Sequence, residues 1–296
     1  MNFGINLSFA VKRWPEPEIW AKMVRETMGI EQVQFTFDLL DPWTPEPMRS
    51  SMAEKISQST MNWGVRIESA FCGLASYTYN NLLHPDIDGR RISIEWWKRA
   101  MDLTVKIGSS IVGGPLGGMS ITDAANTDRK KNLYDILIDE ITELTHIAKT
   151  SGIKKFHIEC TPLNREIPYS IEQVKGLIND IANRCEVPVE FLIDVGHALY
   201  QPLYGEKADL NEWLRALNPH IGAFHLQNTD YQSDSHWGWP NSRGIFDVAL
   251  FVKQLRNANL QDIPCFLEII YPFEMDDEEV KRNVVSSVQH CKKYFI

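Results

Sequence analysis

Four side chains able to hold a cation or move a proton sit at the ends of four successive apolar runs. His157-Ile158-Glu159 closes residues 156–159, Asp194 closes 189–194, His225 lies in Ala223-Phe224-His225-Leu226-Gln227, and Glu268 follows Cys265-Phe266-Leu267. Side chains alternate along an extended strand, so Phe156 and Ile158 face one way while His157 and Glu159 face the other. The same parity puts His225 and Gln227 together. Two Glu, one Asp and one His drawn to one place would repel and hold protons unless a cation neutralised them. A divalent ion does so. Three carboxylates and an imidazole, with no thiolate, suit Mn²⁺ first, then Mg²⁺ or Co²⁺, and argue against a structural zinc. Each residue alone reads more readily as a helix cap, a loop salt bridge or a satisfied core histidine. Four of them on consecutive runs, at the same end, read as one shared metal site.

The elements that must position them alternate along the whole chain. Short apolar runs at 3–8, 32–38, 65–71, 110–113, 156–159, 189–194, 221–226 and 265–269 are separated by stretches with helical spacing. Leu133, Leu137, Ile141, Leu144 and Ala148 mark one face of a helix, as do Ile94, Trp97, Met101 and Val105. Gly29, Gly108 and Gly152 each fall where such a helix would end. Eight strand–helix units predict a (β/α)₈ TIM barrel, one domain over residues 1–296, with its chemistry at the C-terminal ends of the strands. An open doubly wound sheet would place a glycine-rich turn after the first strand. Here that strand runs into Leu7-Ser8-Phe9-Ala10-Val11-Lys12-Arg13, without glycine.

Composition narrows the partners. The 296 residues are 44% hydrophobic and 23% charged, which suits a globular core and excludes a disordered or collagenous chain. The formal charge of −9 and the lack of a basic stripe argue against a nucleic-acid partner. No apolar run approaches the ~18 residues of a membrane helix, and Met1-Asn2-Phe3-Gly4 opens no basic leader, so a cytoplasmic protein without a membrane partner is expected. The five cysteines carry no CxxC pair and read as reduced thiols.

On these residues the chain resembles the xylose isomerase-like superfamily of sugar and sugar-phosphate isomerases and epimerases. Its ketose 3-epimerase branch carries Glu, Asp, His and Glu as metal ligands on strands five to eight, with a substrate-binding His three residues after the Asp. The matching positions are Glu159 in Ile158-Glu159-Cys160, Asp194 and His197 in Asp194-Val195-Gly196-His197, His225 in Phe224-His225-Leu226, and Glu268 in Leu267-Glu268-Ile269. The resemblance implies that Glu159 and Glu268 also exchange the proton at C3. The arginine that often follows the His ligand in epimerases of free ketoses is missing: no Arg follows His225 until Arg243. With the glycine run 113–118, that loop makes the chain most similar to the tetrulose-phosphate branch, the erythrulose 1-phosphate 3-epimerases of erythritol catabolism. A homo-oligomer, dimer or tetramer, is the corresponding expectation.

Epimerisation at C3 of a ketose needs a metal on the C2 and C3 oxygens to stabilise an enediolate, and two groups flanking the carbon. Glu159 and Glu268 are the pair, and His197 a hydrogen-bond donor to the substrate. Gly117 and Gly118 offer backbone N–H groups to a phosphate, or form a tight turn. His236, Glu68, Asp38 and Arg165 are further candidate contacts, alongside Lys12, Arg13 and Arg243 as possible phosphate partners. Loop residues Trp14, Trp43, Trp237 and Trp239 are candidate pocket walls. Aldose–ketose isomerisation uses the same enediolate, and a phosphate on C1 would block it. An inosose dehydratase would put the same metal to elimination. A trinuclear apurinic endonuclease site fits less well, because the third and fourth strands end without histidines.

Overall fold

In the computed structural model, which describes residues 1–295, eight parallel strands close into a barrel in sequence order. The strands are β1 Phe3–Asn6, β2 Gln32–Thr36, β3 Arg66–Phe71, β4 Ile111–Gly114, β5 Lys155–Cys160, β6 Val189–Asp194, β7 Ile221–Leu226 and β8 Cys265–Leu267, with β8 pairing back on β1. The principal helices wrap them: α1 Pro17–Lys22, α2 Met48–Trp63, α3 Ile87–Lys106, α4 Thr127–Ser151, α5 Ile171–Ile181, α6 Leu210–Leu217, α7 Val248–Asn257 and α8 Asp277–Lys292. Each strand is thus followed by a helix, as the apolar runs predict.

Local chemistry starts and stops these helices. Asn126, Ser170, Asp247 and Asp276 each accept a backbone N–H of the following first turn, which satisfies donors a helix start leaves free. Gly152 closes α4 at φ 90°, a conformation open to glycine at little steric cost. The α3–α4 contact encloses an ion pair, Arg90 Nε to Glu140 Oε1 at 3.2 Å, with both residues buried.

The barrel interior is layered by strand parity. Near the N-terminal face His157 Nε2 meets Glu190 Oε2 at 3.2 Å, and Lys155 joins Glu190. Above them Phe71, Leu192, Ala223 and Phe266 form a separate buried apolar cluster. One pleat further up, β5, β6, β7 and the residue just after β8 present Glu159, Asp194, His225 and Glu268. Asp194 and His225 are fully buried, which the apolar plug beneath them explains.

Two bulges break this parity. Between β2 and β3 the register moves from Val33↔Ile67 to Gln34↔Ser69, so Glu68 is skipped. Between β6 and β7 it moves from Phe191↔Ile221 to Leu192↔Ala223, skipping Gly222. A Cβ on Gly222 would stand 2.6 Å from both His157 and Glu190, so only glycine leaves room for that pair.

Candidate active site

A cavity of about 220 Å³ opens at the C-terminal end of the barrel, lined among others by Asn6, Ser8, Thr36, Asp38, Tyr77, Glu159, His197, Asp234, His236 and Glu268. Glu159 and Glu268 line it, and with Asp194 and His225 buried behind them each offers a ligand atom, all within 4.8 Å of one another. The chemistry of that ring fits a cation. Asp194 Oδ1 is saturated by the N–H groups of Gly196 (2.6 Å) and His197 (3.1 Å) and by Gln227 Nε2 (2.9 Å). Its other oxygen, Oδ2, is buried with no hydrogen-bond partner. A bare carboxylate oxygen in that position costs several kcal/mol unless a charge meets it.

His225 is aimed by its far nitrogen. Nε2 bonds Gln34 Oε1 at 2.6 Å, leaving Nδ1 toward Glu268 Oε2 at 2.9 Å and Glu159 Oε1 at 3.4 Å. Gln34 is itself fixed, receiving Asn6 Nδ2 at 2.7 Å and donating to Ser69 Oγ at 3.1 Å. Such an outer partner sets the tautomer and direction of a ligating imidazole. Asn6 Nδ2 also reaches Glu268 Oε1 at 3.1 Å. Without a cation, protons must balance the carboxylates. Burial disfavours the His225 imidazolium, but the charges of Glu268 and Glu159 win and push its pKa up to about 10. Burial raises Glu159, whereas for Glu268 the attraction of His225 outweighs burial and lowers it.

A second network borders the ring. Asp234 accepts from His197 Nε2 at 3.2 Å and Gln227 Nε2 at 2.8 Å, and pairs with His236 Nε2 at 3.1 Å. The far nitrogens of the two rings face the carbonyls of Cys160 (3.0 Å) and Glu268 (3.4 Å). Gly196 is required here, because a Cβ would lie 2.5 Å from the Gln227 amide.

The structure therefore gathers Glu159, Asp194, His225, Glu268, His197 and His236 about one cavity. Asp38, also an expected contact, lines the same cavity, whereas the remaining expected contacts lie elsewhere. Glu68 is the bulge residue of β3, not its end, and pairs with Arg66 at 2.8 Å away from the cavity. Arg165 is spent on the Met119 carbonyl at 2.6 Å, within the loop after β5. Gly117 and Gly118 do not face the cavity. Gly117, at φ 108°, packs against the Asn80 backbone, and Gly118 bridges to Glu166 and takes Asn80 Nδ2 on its carbonyl at 2.6 Å. Close loop packing, not anion binding, uses these glycines. Lys12 lies over Phe273, Arg13 bonds the Pro272 carbonyl and Asp277, and Arg243 stacks on Trp237, so none reaches the cavity. None of the four loop tryptophans lines it either.

Sequence reasoning passed over Gln34 and Asn6. For Gln34 a signal existed: in Gln32-Val33-Gln34-Phe35-Thr36 the polar residues share one parity, and it is the barrel side. Buried Glu166, whose pKa burial raises, also stands near the site with Oε2 unpartnered.

A closed eight-stranded barrel with this ring at its mouth defines a class: the chain belongs to the xylose isomerase-like TIM barrel family, whose family model matches residues 24–293. It is 39% identical to a xylose isomerase candidate from Rhodospirillum rubrum, over 99% of both chains with a TM-score of 0.96. It is 22% identical to the D-erythrulose 1-phosphate 3-epimerase of Brucella abortus, covering 97% of this chain and 94% of that one. The D-psicose 3-epimerase of Clostridium cellulolyticum shares the fold at TM-score 0.74 and 14% identity, covering 100% and 99%. Among the described residues no helix is long and apolar enough to cross a membrane.

Proposed function

We propose that the chain is a metal-dependent ketose 3-epimerase, an isomerase inverting C3 through an enediolate. The observation that carries the reading is the convergence of Glu159, Asp194, His225 and Glu268 on one point beside the cavity, with Asp194 Oδ2 buried and unpartnered. A divalent ion bound there would offset negative charge developing on the C2 and C3 oxygens. The donor set favours Mn²⁺, with Mg²⁺ or Co²⁺ as alternatives.

The protein's own residues do the rest. Glu159 and Glu268 both line the cavity, on β5 and just beyond β8, so they approach a ketose from two sides. One takes the C3 proton and the other returns a proton to the opposite face; the configuration of the substrate decides which acts first. His197 and His236, tied to Asp234, wall the cavity beside the two glutamates.

The finer reading is a short ketose 1-phosphate, a tetrulose such as erythrulose 1-phosphate, in polyol catabolism of the erythritol type. The Brucella relative supports it. A C1 phosphate closes the C1–C2 isomerisation route and leaves C3. A cytoplasmic homo-oligomer, dimer or tetramer, goes with that reading. The second reading, an aldose–ketose isomerase on the same ring, is favoured by the Rhodospirillum relative.

Proton exchange in deuterated buffer separates them. Deuterium at C3 alone of erythrulose 1-phosphate or a free ketose, abolished by a chelator and by Glu159→Gln, is expected. Exchange at C1 would move the assignment to the isomerase, and no exchange on any ketose would remove the enzyme reading.

A further inference from the structure

The carboxylate ring occupies one half of the cavity; the other half poses a separate question of charge. β2 and β3 lie across the closed barrel from β6 and β7, and the loops that follow them carry Asp38, Gly73, Leu74 and Tyr77 into the cavity wall. The lining holds four carboxylates (Asp38, Glu159, Asp234 and Glu268) but no lysine or arginine. Glu159 and Glu268 belong to the ring, and Asp234 pairs with two histidines. Asp38 stands apart, and among the described residues no cationic side chain pairs with it.

Its position is built. Oδ2 accepts the Leu74 N–H at 2.7 Å and Oδ1 the Ala75 N–H at 3.1 Å, so the carboxylate caps the short turn Leu74–Tyr77. A Cβ on residue 73 would lie 2.2 Å from the Asp38 carboxyl carbon, so Gly73 is the residue that lets it seat. Burial raises its pKa above the usual carboxylate value, and the two backbone donors pull the other way. Each oxygen keeps lone pairs beyond the one its N–H takes, and these can receive hydroxyl groups.

We propose that Asp38 is a specificity-determining residue of this site: it accepts the hydroxyl at the end of the ketose remote from C1 and keeps a phosphate away from that end. The inference rests on the ketose reading above. A ketose with C2 and C3 at the ring sends one end toward His197, Asp234 and His236. The other end goes toward Asn6, Thr36 and Asp38. A hydroxyl there gains a charge-assisted hydrogen bond. A terminal phosphate there meets a fixed carboxylate at the end of the cavity away from the ring, with no lysine or arginine in the lining to offset it, and like charges so placed discriminate strongly. The site then accepts free ketoses and ketose 1-phosphates, and rejects ketoses phosphorylated at the far end.

Calorimetric titration of the Mn²⁺-loaded protein with ribulose and with ribulose 5-phosphate tests this. Wild type is expected to bind ribulose at least tenfold more tightly than its 5-phosphate. Asp38→Asn, which keeps an oxygen for the Leu74 cap, should lose most of that preference, and the charge-retaining Asp38→Glu should keep it. Equal binding of the two ligands by wild type, no binding of either, or a preference unchanged in Asp38→Asn would each overturn the inference. Because binding is the readout, discrimination that persists in a protein showing no C3 exchange sinks the epimerase reading alone.

Discussion

At the scale of single residues the site depends on what stands behind its ring. Gln34 fixes His225 through Nε2, and Asn6 and Ser69 fix Gln34, so the imidazole reaches the ring already oriented. Replacing Gln34 by Leu leaves His225 Nε2 buried without a partner and free to swing. We expect Mn²⁺ affinity to fall ~10- to 100-fold, the usual cost of losing such an outer partner, while the fold persists. A metal titration by electron paramagnetic resonance reads this directly, and unchanged affinity would show that Gln34 is only a filler. Gly196 makes a complementary case. Its absent side chain admits the Gln227 amide that satisfies Asp194 Oδ1, so Gly196→Ala must displace Gln227. A loss of ~1–3 kcal/mol in urea unfolding is expected, as for other overpacked sites. The polar ring residues were legible in the sequence because each closes an apolar run at the same parity. The pairing of Asp234 with His197 was not, because the two come from different loops and meet only in three dimensions.

Among elements, the alternation of strand and helix was readable from end to end, and the observed strands fall within one or two residues of the expected runs. Bulges were not readable, since they reside in the pairing between strands. The bulge at Glu68 turns a residue expected at the cavity into a partner of Arg66, and the loop glycines 117 and 118 serve contacts with segments 37 and 48 residues away in the chain. One helix–helix contact carries a pH dependence of its own. Between α3 and α4, burial pushes Glu140 up to about 7 although Arg90 pulls it down, and Oε2 has no partner. A carboxyl whose folded pKa exceeds its unfolded one binds more protons when folded. The stability it contributes is complete below about 4.5 and is lost as pH rises through about 7. The shift corresponds to ~3 kcal/mol. In Glu140→Gln the Arg90 hydrogen bond survives and the titration goes. The drop in unfolding free energy between pH 5 and pH 8 should therefore shrink by about that amount relative to wild type, and equal pH profiles would refute the assignment.

For the whole molecule, the ring draws its ligands from β5, β6, β7 and just after β8, and Asn6 and Gln34 tie it to β1 and β2. A cation bound there would cross-link most of the circumference near its C-terminal end. Binding to the native state alone stabilises by mass action, ~2.7 kcal/mol at a hundredfold excess over Kd. For a chain of 296 residues that amounts to a rise in Tm of roughly 4–5 °C. The rise should depend on Mn²⁺ concentration, vanish with chelator, and be lost in Asp194→Asn, whose amide donates toward the same point. Hydrogen exchange should show where the stabilisation lies. Amides near Asp194, His225 and Glu268 are expected to slow most, and those of β1 and β2 through Asn6 and Gln34. The layer around His157 and Glu190 is separated from the ring by Phe71, Leu192, Ala223 and Phe266, so it should change least. Uniform slowing around the barrel would mean that the ion acts on global unfolding alone. Slowing absent near the ring would mean that it binds somewhere else.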